Sequence, residues 1–336
     1  MEILNEKNLT RNNLRPKSQS LQSLNAQALT RTFSLDDMDW TKKVDHSISW
    51  MPESMLALTF LSSYRLLNSD QKLAINQKYA LAICEQFIWF EQELLCRVIA
   101  RLMPKLQDQT LKKCLENFAN EETRHSELFG KLLNLADPET YKTSHIESRD
   151  FNYFKLSLGS KLFFEALIRF PNLFLVWVWL AIFFEEKTIH FSQMYKKCQD
   201  NMGHSNVDAQ FAKAHALHMI DESRHLQIDQ YLLKAFYEPK FFWQKRLCAK
   251  LTQLIFRAYK SPRRIAKRIL IKLAKEQAEH QLVYKKLINE LPTLRKNQAY
   301  QEATYSRQVM GRTLGSLELY PEMNCALKEL SPSIRN

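Results

Sequence analysis

Residues 120–125 read NEETRH and residues 220–225 read IDESRH, and the fold follows from what these two hexapeptides share. In each, a glutamate precedes a histidine by three positions: Glu122 with His125, and Glu222 with His225. On an α-helix that spacing puts both side chains on one face. A bare Glu-x-x-His carries little weight, because 24 Glu and 9 His among 336 residues give about 0.6 matches by chance. The longer pattern, an acid followed by Glu, Thr or Ser, Arg and His, occurs twice, which chance explains poorly. A carboxylate and an imidazole so spaced can grip one metal ion, and a facing copy can hold a second. Upstream of each copy lies a related passage, IWFE at Ile88–Glu91 and IFFE at Ile182–Glu185. Two helix pairs of one design, facing each other, make a four-helix bundle.

The rest of the chain agrees with an all-α reading. Gly and Pro together supply 15 of 336 residues, roughly a third of ordinary usage, which disfavours turn-rich sheet folds. Hydrophobic residues make up 45% of the chain, so disorder throughout is excluded. Prolines punctuate the sequence and predict helices near 71–102, 107–135, 160–199, 206–236, 241–259 and 263–290. Residues 1–35 are polar and read as a flexible tail, residues 36–295 as one domain, and residues 296–336 as a C-terminal tail. The six cysteines form no CxxC pair and read as reduced structural thiols. No apolar leader opens the chain, and the longest uncharged apolar run, Leu173–Phe184, falls short of a membrane span. A cytoplasmic location is therefore expected, peripheral to the inner membrane surface as an alternative.

A bundle of this kind needs one carboxylate from each of its other two helices. On the first, Glu85, Glu91 and Glu93 are the candidates. Glu93 stands one turn before Arg97 and reads as a solvated pair. Glu91 shares its face with Cys84, Ile88, Leu95 and Val98; an acid there needs a reason, and a metal supplies one. On the third helix the choice lies between Glu185 and Glu186. Glu186 aligns with His190, Gln193 and Lys197 and is expected to face outward, which favours Glu185. His218 precedes Glu222 by four residues, placing it on the same stripe as a third nitrogen ligand, while His215 reads as packing or support.

Duplicated (Asp/Glu)-Glu-x-Arg-His motifs resemble the ferritin-like di-iron carboxylate superfamily. The run His218-x-x-x-Glu222-x-x-His225 is similar to that of the p-aminobenzoate N-oxygenase family, and the resemblance covers roughly residues 40–235. It implies a ferritin-like four-helix bundle with additional flanking helices and two iron ions per chain, with manganese at one site as an alternative. Carried over by position, Glu122 and Glu222 would bridge the ions, His125 and His225 would be terminal ligands, Glu91 and Glu185 the remaining carboxylates and His218 the extra imidazole. The resemblance further implies that Asp221 orients His125 and that Glu121 orients His225. The 37 residues from Glu185 to Glu222 exceed the 31 from Glu91 to Glu122, so a longer connection around Cys198–Asp208 must absorb the difference. The ribonucleotide reductase small subunit fits less well, because the position four residues after His125 is Phe129 and cannot form a tyrosyl radical.

The implied activity is O2-dependent oxygenation of a small-molecule or carrier- or lipid-linked substrate, an amine N-oxygenation being the family precedent. Electrons would come from an external donor (a ferredoxin or reductase) or from peroxide. Between Lys240 and Lys275 the chain carries 12 Lys/Arg and no acid, equal to its whole net charge of +12. That basic amphipathic region reads either as solvated helix faces or as a dock for an anionic membrane surface or an acyl carrier protein. No nucleic-acid fold accompanies it, and a homodimer is expected. The competing readings are a metal-binding or peroxide-scavenging protein without turnover, and a membrane-surface helical module.

Overall fold

The structure, a computed structural model, describes residues 19–200, 207–260 and 262–331. Among them there is no β-strand, only one isolated bridge between Ser49 and Val207. Helix α1 spans Leu21–Thr30 and α2 Ser69–Ile88. A π-helical segment, Trp89–Cys96, carries α2 without a break into α3, Arg97–Leu102. Helix α4 is Gln109–Ala136, α5 Leu158–Arg169, α6 Val176–Asp200 and α7 Ala209–Leu232. The bundle consists of α2–π–α3, α4, α6 and α7. Its helix starts are set by short polar caps: Asn68 exchanges bonds with Gln71 ahead of α2. Asp108 and Asp208 each accept two backbone N–H groups at the starts of α4 and α7.

Two predicted helices break. The stretch 160–199 divides into α5 and α6 around Pro171, which lacks an N–H and whose carbonyl accepts the Trp177 indole at 2.9 Å. The stretch 263–290 becomes α9, Arg263–Glu276, and α10, Gln281–Glu290, parted by a short 3-10 turn at Ala278–His280. The basic region is α8, Phe242–Tyr259, followed by α9. The longer connection expected around Cys198–Asp208 falls largely on residues 201–206, outside the described residues.

Both segments read as tails contain packed structure. Helix α1 buries Leu24, and Phe33 is buried beyond it. Apolar anchors spaced along a polar stretch suffice to dock it, each worth roughly 1.5–3 kcal/mol. Past residue 296, the chain forms α11, Gln298–Tyr305, α12, Arg307–Glu318, and α13, Asn324–Leu330. Helix α12 packs on α6 and α13 on α8. Met310, Leu314, Leu317, Met323 and Leu330 are all buried, which is why this stretch is ordered. The loop between α4 and α5 presses so closely on α4 that a Cβ at Gly130 would stand 2.2 Å from the Ser144 carbonyl oxygen. Glycine is required there.

Candidate metal centre

The repeated hexapeptides lie in mid-helix on α4 and α7, where each Glu and His of a pair turns inward together. Glu122, His125, His218, Glu222 and His225 are all fully or almost fully buried, as are Glu91 and Glu185. Glu91 rides on the π-helical segment, whose extra residue per turn re-aims a side chain and is common at functional sites.

These seven side chains converge. Glu222 Oε1 stands 3.0 Å from His218 Nε2, 3.4 Å from His125 Nδ1 and 3.6 Å from His225 Nδ1. Glu122 reaches His225 Nδ1 at 2.9 Å and His125 Nδ1 at 3.5 Å. Glu91 Oε1 lies 3.2 Å from His218 Nε2, and Glu185 Oε2 lies 3.6 Å from His225 Nδ1. Two compact groups emerge at the ends, Glu91 with His125 and His218, and Glu185 with Glu222 and His225; Glu122, His125 and His225 form a third between them.

The outer nitrogens are held by acids from the opposite motif. His125 Nε2 is 3.2 Å from Asp221 Oδ2, and His225 Nε2 is 2.8 Å from Glu121 Oε2. Arg224 joins the two acids, donating to Glu121 Oε1 at 2.6 Å and Asp221 Oδ1 at 2.8 Å. Arg124 donates to Asp221 Oδ2 at 2.9 Å. The arginine that recurs in each motif therefore binds the acids that bind the histidines. Arg224 also donates to the Arg31 carbonyl at 3.2 Å, and Phe33 stacks parallel to His125 at 5.8 Å. The N-terminal segment covers this end of the site.

Inward, the chemistry is unfinished. Both oxygens of Glu122 and of Glu222, Oε2 of Glu91, Nδ1 of His125 and of His225, and both nitrogens of His218 are buried and make no hydrogen bond. Burial disfavours a charged His218, yet the neighbouring Glu222 and Glu91 carboxylates outweigh it and push its pKa up to about 10. Burial, reinforced by the Glu222 and Glu122 charges, holds Glu185 well above the carboxylate range. Glu222 is drawn down despite burial, chiefly by the charge of His218. Four carboxylates and three imidazoles gathered in a dry interior, most with inward atoms free of hydrogen bonds, suit two divalent cations of the iron or manganese type.

The other candidates have different work. Glu85 is buried and accepts from the Tyr141 hydroxyl and from the backbone N–H groups of Asn152, Tyr153 and Phe154, at 2.5–2.8 Å. It clamps the α4–α5 loop. Glu93 is partly exposed, 3.9 Å from Arg97 and accepting from the Ser148 N–H. Glu186 does not face outward: it is buried and accepts from the Arg312 and Thr313 N–H groups, each at 2.7 Å. Those donors are freed by the kink at Met310, so α12 buries Glu186 alone of the stripe, while Gln193 and Lys197 stay exposed. His215 stacks on Tyr195 at 4.1 Å. Sequence reasoning missed Asp229, fully buried one turn beyond His225 with neither oxygen hydrogen-bonded. Burial, and after it the charges of the Glu122 and Glu222 carboxylates, raises its pKa well above the ordinary carboxylate value, while His225 opposes the rise. The stripe through 218, 222 and 225 continues to 229, which is the signal that could have found it.

No curated protein matches the chain. A family model described as p-aminobenzoate N-oxygenase AurF matches residues 15–278, which takes in α1 at one end and both basic helices at the other and so extends beyond the stretch carrying the motifs. With most of its length matched and an all-α bundle around the paired motifs, the chain belongs to the AurF p-aminobenzoate N-oxygenase family.

Proposed function

We propose that the chain is a di-iron N-oxygenase-like enzyme that uses O2, with Glu91, Glu122, His125, Glu185, His218, Glu222 and His225 holding two irons. The observation that carries this reading is the inward set of buried oxygens and nitrogens without hydrogen bonds. When bound, the irons supply the electrons and the oxygen-activating chemistry of the reaction. The chain's own residues prepare for that. Asp221 and Glu121 keep a proton on Nε2 of His125 and His225, leaving each Nδ1 lone pair directed inward. Arg224 bonds to both acids and Arg124 to Asp221; Asp221 lies below the usual carboxylate range although burial opposes it, because His125, His225 and Arg224 favour its charge. Phe118 at 4.1 Å from the His225 ring and Phe129 at 4.9 Å from the His218 ring exclude water from either end.

The test is anaerobic loading with ferrous iron, metal analysis, and then O2 with an electron donor and a panel of aryl and alkyl amines. About two irons per chain and an oxygenated amine are expected. Two irons with no amine oxygenated would place the protein among metal-storing or peroxide-consuming relatives, and an iron-free product would end the proposal.

A further inference from the structure

A cavity of about 910 Å³ lies beside the metal centre, in the groove between α2 and α6 and under α5, α8, α9 and α11. That volume is near the upper end of the range of about 300–1,000 Å³ typical of small-molecule sites. Its walls are mostly aromatic and aliphatic. Phe87 forms part of the wall, and its ring stands 5.3 Å from that of His218. One aromatic side chain thus separates the cavity from the metal ligands.

The polar lining is one-sided. Lys155, Lys187, Arg257, Arg263, Arg264 and Arg268 line the cavity, and no Asp or Glu does among the described residues. Several of these cations are engaged: Arg268 donates to the carbonyls of Tyr153 and Lys155, and Arg257 pairs with Glu329 at 3.2 Å. Lys187 differs. Its ammonium sits over the rings of Tyr305 at 5.0 Å, Phe191 at 5.5 Å and Phe183 at 5.8 Å, and no carboxylate pairs with it among the described residues. Aromatic faces compensate a desolvated ammonium only in part. An anion in the cavity would complete the pairing.

The surroundings point to the rest of the ligand. Leu254 lines the cavity and is 57% exposed, and Leu158 and Leu162, which flank the lining residues Gly159 and Ser160, are 75% and 63% exposed. Exposed leucines gathered beside an apolar cavity suit entry of a greasy molecule.

We propose that this cavity is the substrate chamber and that it takes an amphiphile with a long apolar body and a single anionic group, the anion paired with Lys187 and the body laid along the aromatic wall toward Phe87. The word substrate rests on the iron-centre reading above; the ligand class does not.

Calorimetric titration of the iron-loaded full-length protein with decanoate, decyl phosphate, decanol and decylamine tests it, with iron content measured on the same samples. At least one of the two anions should bind about tenfold or more tightly than decanol, and decylamine should bind more weakly than either anion. The tighter anion distinguishes a carboxylate source from a phosphate one. Lys187→Met should weaken the anion about tenfold while leaving decanol unchanged, and Lys187→Arg should bind within about threefold of the parent. Removing a half-buried charge that no carboxylate pairs should leave the melting temperature unchanged or higher, so loss of fold does not confuse the result. Equal binding of decanol and the anions, no binding of any probe, or an unaltered Lys187→Met variant would overturn the ligand class. Iron at about two per chain in such a sample would leave the metal-centre reading standing.

Discussion

The two ends of the candidate metal site descend from one sequence pattern and yet differ in donor chemistry. At one end Glu91 meets His125 and His218, a single carboxylate with two imidazoles; at the other Glu185 and Glu222 meet His225, two carboxylates with one imidazole. The helices differ in step. The carboxylate of the nitrogen-rich end rides on π-helical backbone, while Glu185 sits in regular α6. A duplicated motif therefore fixes which residues converge without making their surroundings equal. The nitrogen-rich end carries less negative charge, and the two irons proposed here would experience different fields from the start.

The comparison breaks most severely at Glu222, whose Oε1 is within 3.6 Å of all three histidines. Glu222→Ala should take iron from about two per chain to near zero and lower oxygenation by on the order of a hundredfold, read by metal analysis and product yield; retention of one tightly held iron would show that the ends assemble independently. A sharper cut is His218→Leu, confined to the nitrogen-rich end. It should leave about one iron per chain, held by Glu185, Glu222 and His225, and loss of both would mean the ends bind cooperatively. Smaller still are Asp221→Asn and Glu121→Gln. Each should weaken iron by about 10–100-fold, the former acting through His125 and the latter through His225, as competition with a chelator would reveal. Least disruptive to the metal are Glu85→Gln on the α2 side and Glu186→Gln on the α6 side. Both should cost about 1–3 kcal/mol in thermal or denaturant unfolding through their lost carboxylate hydrogen bonds, with iron content unchanged.

The convergence of Glu122, His125, Glu222 and His225 in the interior was legible because a spacing of three on a helix has one geometrical consequence, and a repeat removes chance. The choice of Glu91 over Glu93 follows from its apolar neighbours, and the structure puts Glu91 inside and Glu93 beside Arg97. The π-helical step was not legible, because hydrophobic periodicity over eight residues barely separates 4.4 from 3.6 residues per turn. Glu186 misled for a different reason. Its companions Gln193 and Lys197 do face solvent, and only α12, in a stretch taken for a tail, covers the stripe where Glu186 stands. The N-terminal segment erred alike: average polarity says little about a stretch docked by single anchors such as Leu24 and Phe33.

The bond from Arg224 to the Arg31 carbonyl, together with the ring of Phe33 against His125, bears on how the protein is handled. Trimming the first forty residues as dispensable, a routine step to improve crystals or yield, would strip the roof from the imidazole rim and admit solvent to it. A shortened version that bleached quickly or leaked iron would then be reporting on its missing cover rather than on the bundle beneath.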